Sequence, residues 1–378
     1  MDVHLRKLNF IPKTFTSFRE YNFSLFLKDL FAGITVGIVS LPLAMAFAIA
    51  SGVTPDKGLY TAVVAGFLIS FFSGSKYQIG GPTGSFIVIS FYLLKNFSFD
   101  SLLLTTFIAG IILIILGISK AGSLIKFIPY PVTIGFTSGM AILILSSQVK
   151  DFFGLKITQV PVDFIEKWLS YFTHFNTINY TTTFIAFFTL FIIIICKKFF
   201  QKLPGTIIAI ILSATITYLF KLDVHTIGSV FGELPKTLPN PSIGFLSLKK
   251  ITILFPHATT IAFLVVIESL MSTVVADGMT SDRHDSNTEL IAQGIANIFS
   301  PIFGGLPAAG AIARTATNIR SGAKTPLSGM IHAVILFSIM FFLAPLAKNI
   351  PLASLSAVLV MVAWNMSEIN TFVRMFKS

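Results

Sequence analysis

The sequence predicts an all-α polytopic membrane protein built from two related halves of opposite orientation. Hydrophobic residues make up 54% of the 378 residues and charged residues only 11%, and apolar runs of transmembrane length recur along the chain. Two of these runs are broken by glycine and proline, at Gly80–Thr83 and at Gly304–Pro307. Broken segments in matching positions of two halves are typical of membrane folds made from inverted repeats.

The apolar segments are placed in chain order as twelve membrane spans: 29–50, 58–73, 82–95, 102–118, 131–149, 178–197, 204–220, 256–277, 288–303, 309–320, 326–345 and 350–366. Residues 1–28 before them are polar and basic, and they lack the short apolar core of a cleavable signal peptide. The third and tenth spans are shorter than the roughly 20 residues that cross a bilayer. Both follow a Gly/Pro break, so we expect two half-helices.

The distribution of positive charge predicts the orientation. With the N-terminus inside, the inner segments carry 16 Lys and Arg residues and the outer loops carry 10, as the positive-inside rule requires. We therefore expect a multi-pass protein of the bacterial inner membrane, with residues 1–28 in the cytoplasm and lipid around the spans. The cations behind the net charge of +11 lie mostly in short loops and at the N-terminus, where they set the orientation. The positive charge is therefore not interpreted as a nucleic-acid-binding surface, and no nucleic-acid partner is expected.

Three landmarks that recur in the second half predict an internal repeat: Ala50–Thr54 with Ala276–Thr280, the two glycine breaks, and Ile128–Pro129 with Ile350–Pro351. The first copy, 29–221, holds seven spans, and an odd number of crossings turns the next copy upside down. An extracytoplasmic linker at 222–255 follows. The second copy, 256–378, holds five spans, so we expect it to be incomplete by two helices.

The two breaks place the N-termini of short helices at Gly84 and at Ala311. Such ends expose unpaired backbone N–H groups and about half a positive charge, which attract anions. The predicted substrate-binding residues are Pro42, Thr83, Gly84, Ser85, Phe86, Ala311, Ala313 and Arg314. The alternative is that the small residues only allow close helix packing.

Two charged residues lie inside predicted spans. Arg314 is one turn into the tenth span, and Glu268 lies in the middle of the eighth. Charged residues at this depth are costly and usually face a cavity or a partner. We expect Arg314 to hold an anion and Glu268 to bind a coupling ion, either a proton or sodium. The alternative is that the two residues form a structural ion pair.

Other chemistry finds little support in the sequence. The single cysteine, Cys196, excludes a Cys-based metal cluster or an intrachain disulfide, and the six histidines show no ligand spacing. The run Asp282–Asp285 falls in a short inner loop and is interpreted as a solvated turn. No P-loop or catalytic constellation is found. We therefore predict no catalytic residue, metal or cofactor, and we do not expect an enzyme.

Several motifs in combination resemble the SulP family of anion transporters, from Asp29 to about Glu368. They are Asp29–Gly37, Pro42–Ala46, Gly58–Tyr60, Gly80–Thr83, Glu268–Leu270, Gln293–Asn297 and Ala313–Asn318. The resemblance implies a seven-plus-seven inverted-repeat transporter fold with core and gate parts, an elevator-like movement of the core, and a STAS domain after the membrane part. Measured against that pattern, the last two helices and the STAS domain are expected to be absent here.

The resemblance also implies roles for single residues. Phe86 matches an aromatic residue that lines the family's anion site, Arg314 matches an arginine of the tenth helix, and Glu268 matches an acid linked to cation coupling. Ala313 stands where many members carry serine, and Leu43 stands where members carry Glu or Gln. The version Pro42–Ala46 is more similar to the C4-dicarboxylate branch than to sulfate- or bicarbonate-type members.

The function predicted from these observations is secondary active transport of small anions of the sulfate, bicarbonate or C4-dicarboxylate class, coupled to protons or working by exchange. The alternatives are a truncated non-transporting fragment or half of a split transporter, a nucleobase permease, and a channel-like anion conductor. The expected partners are the anion, the coupling ion and membrane lipid, and a homodimer is considered as well.

Overall fold

The computed structural model describes residues 10–18, 21–123, 130–158, 160–200 and 204–367. Its helices are α1 (Lys13–Ser17), α2 (Phe23–Ala50), α3 (Pro55–Phe72), α4 (Ile87–Asn96, after a 3-10 turn at Gly84–Phe86), α5 (Phe99–Ile118), α6 (Tyr130–Phe153), α7 (Phe164–Thr173), α8 (Tyr180–Phe199), α9 (Gly205–Leu219), α10 (Ile227–Phe231), α11 (Leu248–Met279), α12 (Ser286–Ile302), α13 (Ile312–Arg320), α14 (Leu327–Ala347) and α15 (Leu352–Met366). Two short strands, β1 (Gly80–Gly81) and β2 (Ala309–Gly310), interrupt them.

Each predicted span coincides with a helix, so the helical polytopic fold is confirmed. By length and composition, α2, α5, α8 and α11 can each cross a membrane. Both short segments after the breaks are half-helices, α4 and α13, as the sequence predicted. Residues 1–9 of the expected cytoplasmic segment, the landmark Ile128–Pro129 and the end of the chain from 368 lie outside the described residues.

The structure differs from the sequence-based spans mainly in the polar segments. α11 begins at Leu248 rather than at 256, and α10 lies within the expected linker 222–255. A hydropathy profile stops a span at charges such as Lys249 and Lys250, whereas a helix continues past the apolar layer. The additional helices α1 and α7 lie in segments that are too short and polar to be counted as spans.

Buried apolar residues of the described helices form five clusters, and the two largest meet near the breaks, with Leu306 and Ala309 of the second break belonging to one of them. One cluster joins buried residues of α2, α3, α6, α14 and α15, with Met45, Ile144 and Leu355 among its members. The other joins α4, α5, α11 and α12. Phe47 belongs to the first cluster and Phe86 to the second. The site therefore lies at the boundary between two packed bodies.

Close helix packing depends on glycines at defined contacts. A Cβ atom on Gly58 of α3 would overlap the backbone carbonyl of Ala44 in α2, and one on Gly33 would come within 2.6 Å of the Ser328 carbonyl oxygen in α14. Because the obstructing atoms are backbone atoms, they cannot move aside as a side chain does. These contacts hold α2 against α3 and α14.

We expect the substitution Gly58→Ala to lower the free energy of unfolding by about 1–3 kcal/mol, the usual cost of overpacking. The matched control is Gly139→Ala, because a Cβ atom on Gly139 of α6 would meet nothing within 4 Å. Alanine there should be neutral or slightly stabilising, since glycine is a poor helix former. Thermal unfolding of both purified variants in detergent provides the comparison, and equal midpoints would contradict the prediction.

α7 lies in the segment between α6 and α8 and contacts both α6 and the half-helix α4. The Trp168 indole donates to the Ser146 hydroxyl at 3.1 Å, and the Tyr171 hydroxyl donates to the Ser146 carbonyl at 2.8 Å. On the other side, the Lys167 ammonium lies 5.7 Å from the centre of the Phe91 ring in α4. Burial of Lys167 lowers the pKa of its ammonium group. α7 thus spans both bodies at one end of the bundle.

The acidic run Asp282–Asp285 is not the fully solvated turn that the sequence suggested. Asp282 forms ion pairs with Lys13 at 3.5 Å and Lys76 at 3.4 Å. His284 lies 2.8 Å from the Asp277 carboxylate. Asp285 caps α12 by accepting from the Thr288 N–H at 2.6 Å. The loop therefore pairs with α1 and with the segment between α3 and β1, while Arg283 and Asp285 remain exposed.

Candidate functional site

The two Gly/Pro breaks meet side by side. β1 and β2 pair as antiparallel strands, with Gly80 opposite Gly310 and Gly81 opposite Ala309. The chain returns from β2 directly into α13, where the Ala311 N–H donates to the Ile79 carbonyl at 2.9 Å. This pairing satisfies backbone groups that have no helical partner, which is required at membrane depth. The starts of the two half-helices are thereby held next to each other.

Polar side chains of neighbouring helices satisfy the rest of the second break. The Asn297 amide of α12 donates to the Ala308 carbonyl at 2.8 Å, and its oxygen accepts from the Ala308 N–H at 2.9 Å. The Ser300 hydroxyl donates to the Leu306 carbonyl at 2.7 Å, and the Leu306 N–H donates to the Thr61 hydroxyl at 2.6 Å. The broken segment is therefore rigid and fully supported at these two residues.

We expect Asn297→Leu to destabilise the protein by about 2–5 kcal/mol, because it leaves the buried N–H and carbonyl of Ala308 unpaired. Asn365→Leu is the control, since the Asn365 amide oxygen accepts from Lys197 on an exposed surface. Thermal unfolding in detergent measures both variants. A midpoint of the Asn297 variant equal to that of the control would show that the second break needs no such support.

Gln78 and Thr315 connect β1 to α11 and α13. The Gln78 amide donates to the Ser269 carbonyl at 3.2 Å, and its oxygen accepts from the Ser272 hydroxyl at 2.8 Å. The Thr315 hydroxyl accepts from the Ile79 N–H at 3.1 Å. All of these side chains are buried. The network also accounts for the glycine at position 310, because a Cβ atom there would overlap the Gln78 amide.

The Glu268 side chain extends from the middle of α11 to the residues that begin the first half-helix. It does not contact Arg314 directly. Its carboxylate accepts from the Thr83 hydroxyl at 2.6 Å and from the Ser85 hydroxyl. The hydroxyls of Thr83 and Ser85, which the sequence assigned to the substrate, are therefore engaged with Glu268 in this structure. No Glu268–Arg314 ion pair within 4.0 Å is present among the described residues. The direct structural pair considered as an alternative is not formed here.

Arg314 is buried, with only 3% of its surface exposed, and it reaches the first break. Its Nη2 atom donates to the Pro82 carbonyl at 2.8 Å. Its Nη1 atom is buried and has no hydrogen-bond partner among the described residues. Nη1 lies against Gly81, within 2.6 Å of the position that a Cβ atom would occupy. The guanidinium thus has a free donor between the two half-helix starts.

The remaining predicted residues differ in their access to the junction. Ala313 is exposed and Ala311 is partly exposed, whereas Arg314, the next residue after Ala313, is buried. Phe86 is buried, and Gly84 lies against Ile144 of α6 and Phe47 of α2. Pro42 is buried inside α2. The α2 side chain that lies against Gly84 is that of Phe47, five residues further along the helix.

Sequence reasoning missed the residues that support the site from behind. Gln78, Asn297 and Thr315 are polar residues whose partners are distant in the chain, and single polar residues in apolar runs have many ordinary roles. Asp29 is a further example: it is fully buried and accepts from the Thr325 hydroxyl at 2.6 Å and from the Lys324 N–H at 2.7 Å. It fixes the turn between α13 and α14.

The model of the sulfate permease family matches residues 26–378. The chain is 46% identical, over 93% of its length, to the putative sulfate transporter YvdB of Bacillus subtilis, of which it covers 66%. It is 32% identical, over 87% of its length, to the bicarbonate transporter BicA of Picosynechococcus, of which it covers 60%. The chain thus spans about two thirds or less of these curated relatives.

Solved structures agree with this result. The transmembrane domain of a cyanobacterial bicarbonate transporter BicA superposes with a TM-score of 0.85 at 30% identity, over 92% of this chain and 90% of that one. The inward-facing murine Slc26a9 anion transporter shares the fold, with a TM-score of 0.84 at 17% identity, over 98% of this chain and 65% of that one.

Paired half-helices within a helical polytopic fold are typical of membrane transporter folds. The match over nearly the whole chain then gives the family: the chain belongs to the sulfate permease family. The resemblance found from the sequence motifs is thereby confirmed.

Proposed function

We propose that the chain mediates secondary active transport of small anions of the sulfate, bicarbonate or C4-dicarboxylate class. The observation that carries the proposal is the free Nη1 donor of Arg314, buried between two adjacent helix N-termini. Backbone N–H groups of the first turns, near Ser85 and Ala313, would complete the cradle. The names of the relatives, a putative sulfate transporter and a bicarbonate transporter, support this substrate class.

The proposal also includes an alternating-access mechanism, in which the anion site opens to one side of the membrane at a time. Ile144 and Phe47 lie against Gly84, whereas Ala313 is exposed. The described grooves, of about 450 Å³ and 440 Å³, are lined by other residues. Side chains of α2 and α6 thus cover the start of the first half-helix, and the Arg314 donor is buried. For an anion to leave by the opposite route, the body containing α4 and α13 would move relative to α6.

The arrangement that we propose in the membrane is the one predicted from the amino-acid sequence. Residues 29–221 and 256–378 are the two inverted copies, and the N-terminus is cytoplasmic in a bacterial inner membrane. Glu268 is proposed as the coupling residue, with a proton or sodium as the ion, because it is the acid placed at the start of a half-helix. A homodimer is a further element of the proposal.

Uptake by proteoliposomes tests the proposal. Purified protein would be reconstituted and supplied with labelled sulfate, bicarbonate or succinate, with and without an imposed proton or sodium gradient. We expect saturable uptake of at least one anion, inhibited by an excess of the same unlabelled anion. Uptake no greater than that of protein-free liposomes for all three anions would favour a non-transporting chain. Anion flux that does not saturate with concentration and does not accumulate the anion inside the liposomes would favour a channel.

A further inference from the structure

One face of α7 is apolar and is left largely uncovered by the described part of the chain. Ile165, Leu169 and Phe172 are spaced by four and three residues, so their side chains share one side of the helix. Between 59% and 70% of the surface of each residue is exposed. Large apolar side chains that are exposed together mark a surface that binds another apolar body.

The other two faces of α7 have different surroundings. Trp168 and Tyr171 point into the bundle, where the indole donates to the Ser146 hydroxyl at 3.1 Å and the phenol donates to the Ser146 carbonyl at 2.8 Å. Glu166 and Thr173 are exposed and lie two turns apart on a polar face. A helix that exposes a polar side and an apolar side is typical of helices that lie flat in the interface between lipid and water.

The contacts of α7 place it against the sides of two membrane helices. Ser146 lies seven residues before the end of α6 at Phe153, which is roughly 10 Å along the helix axis. The Lys167 ammonium lies 5.7 Å from the centre of the Phe91 ring, five residues before the end of α4. An interfacial helix buries its apolar face about 5–10 Å into the boundary between headgroups and acyl chains. α7 packs at a level consistent with that depth rather than on top of the bundle.

Exposed aromatic residues continue from α7 into α8, a helix long and apolar enough to cross a membrane. The exposed residues after α7 are Phe175 in the turn and then Tyr180, Phe184, Phe187 and Phe191 along α8. The turn is fixed to the end of α6, because the Asn179 N–H donates to the Phe153 carbonyl at 3.0 Å. Aromatic residues at the start of a span are typical of the lipid–water boundary. The apolar face of α7 therefore adjoins, along the chain, the lipid-facing side of α8.

We propose that α7 is a membrane-surface element whose face of Ile165, Leu169 and Phe172 is covered by phospholipid, with its polar side toward water. In the arrangement proposed above, this lipid belongs to the outer leaflet. The inference requires the membrane fold and not the proposed substrate. Lipid is favoured over a second copy of the chain, because the exposed apolar residues extend along α8 instead of ending at the edge of a patch. Since α7 contacts both α6 and α4, the bound lipid holds the two bodies together at this end of the bundle.

Spin labelling tests the inference in vesicles of phosphatidylcholine and phosphatidylglycerol. Cys196 is the single cysteine and is buried, so Cys196→Ala gives a background that accepts one nitroxide label at a chosen position. Leu169→Cys and Phe172→Cys place the label on the apolar face, and Glu166→Cys is the matched control on the polar face. All three positions are exposed, so the substitutions leave the packing of α7 unchanged.

The measurement compares collisions of the label with oxygen, which concentrates in the bilayer, and with a water-soluble nickel complex. We expect the oxygen-to-nickel ratio to be severalfold higher at positions 169 and 172 than at position 166. A ratio at 169 and 172 no higher than at 166 would place the apolar face in water and overturn the inference.

A second result would also overturn the inference. Dipolar broadening at position 169 that disappears when labelled protein is diluted with unlabelled protein would show that a second copy covers the face. Neither measurement requires uptake of an anion. The inference is therefore tested even in a chain that fails the uptake assay, and the two proposals can fail separately.

Discussion

Replacing Arg314 with glutamine is expected to weaken anion binding by about 10- to 100-fold, the value of a charged hydrogen bond in a buried site. Glutamine removes both the positive charge and the free Nη1 donor that lies between the half-helices. Uptake into proteoliposomes at low anion concentration should fall in parallel. The measurement is the anion concentration that gives half-maximal uptake, or the dissociation constant from calorimetry.

Two control variants separate charge from geometry. Arg320→Gln removes a cation from the exposed end of the same helix and should leave affinity within about twofold, because exposed charges are screened. Arg314→Lys retains the charge, but an ammonium group cannot serve the Pro82 carbonyl and an anion in the fork geometry of a guanidinium. We expect intermediate affinity. Full affinity in Arg314→Gln would remove Arg314 from the site.

Replacing Glu268 with glutamine is expected to abolish anion accumulation driven by an ion gradient while leaving anion exchange in place. Glutamine is similar in shape and can still accept from Thr83 or Ser85, but it neither titrates nor binds a cation as a carboxylate does. Loss of the negative charge should also strengthen anion binding at the adjacent cradle. Uptake with imposed proton and sodium gradients, compared with exchange at equilibrium, measures both effects.

Glu289→Gln is the matched control for Glu268. Glu289 is also a buried acid, near the start of α12, and accepts from the Ser73 hydroxyl at 2.6 Å and from the Gln293 amide at 2.8 Å. It lies outside the half-helix junction, so its substitution should lower stability without uncoupling transport. Gradient-driven accumulation by Glu268→Gln at the wild-type level would show that coupling resides elsewhere.

Much of the fold could be predicted because the bilayer imposes a length on each apolar run. The spans from α2 to α15 follow from hydropathy, and the half-helices α4 and α13 follow from the glycines and prolines that precede them. The helices α1 and α7 could not be predicted in this way. Their stability comes from contacts with distant residues, such as those of Trp168 and Tyr171 with Ser146.

The site was predictable in position but not in its hydrogen bonding. The breaks indicated where two helix N-termini lie, and Arg314 was found there. The partners of Glu268 could not be foreseen, because hydroxyls of Thr83 and Ser85 suited either an anion or a carboxylate.

The backbone ladder between β1 and β2 limits how this protein can change shape. Pulling Gly80 away from Gly310 would strand amide and carbonyl groups in a dry interior, at a cost of several kcal/mol for each group. The pairing therefore disfavours separate opening of either half-helix. In the proposed transport cycle, α4 and α13 would move together as one unit.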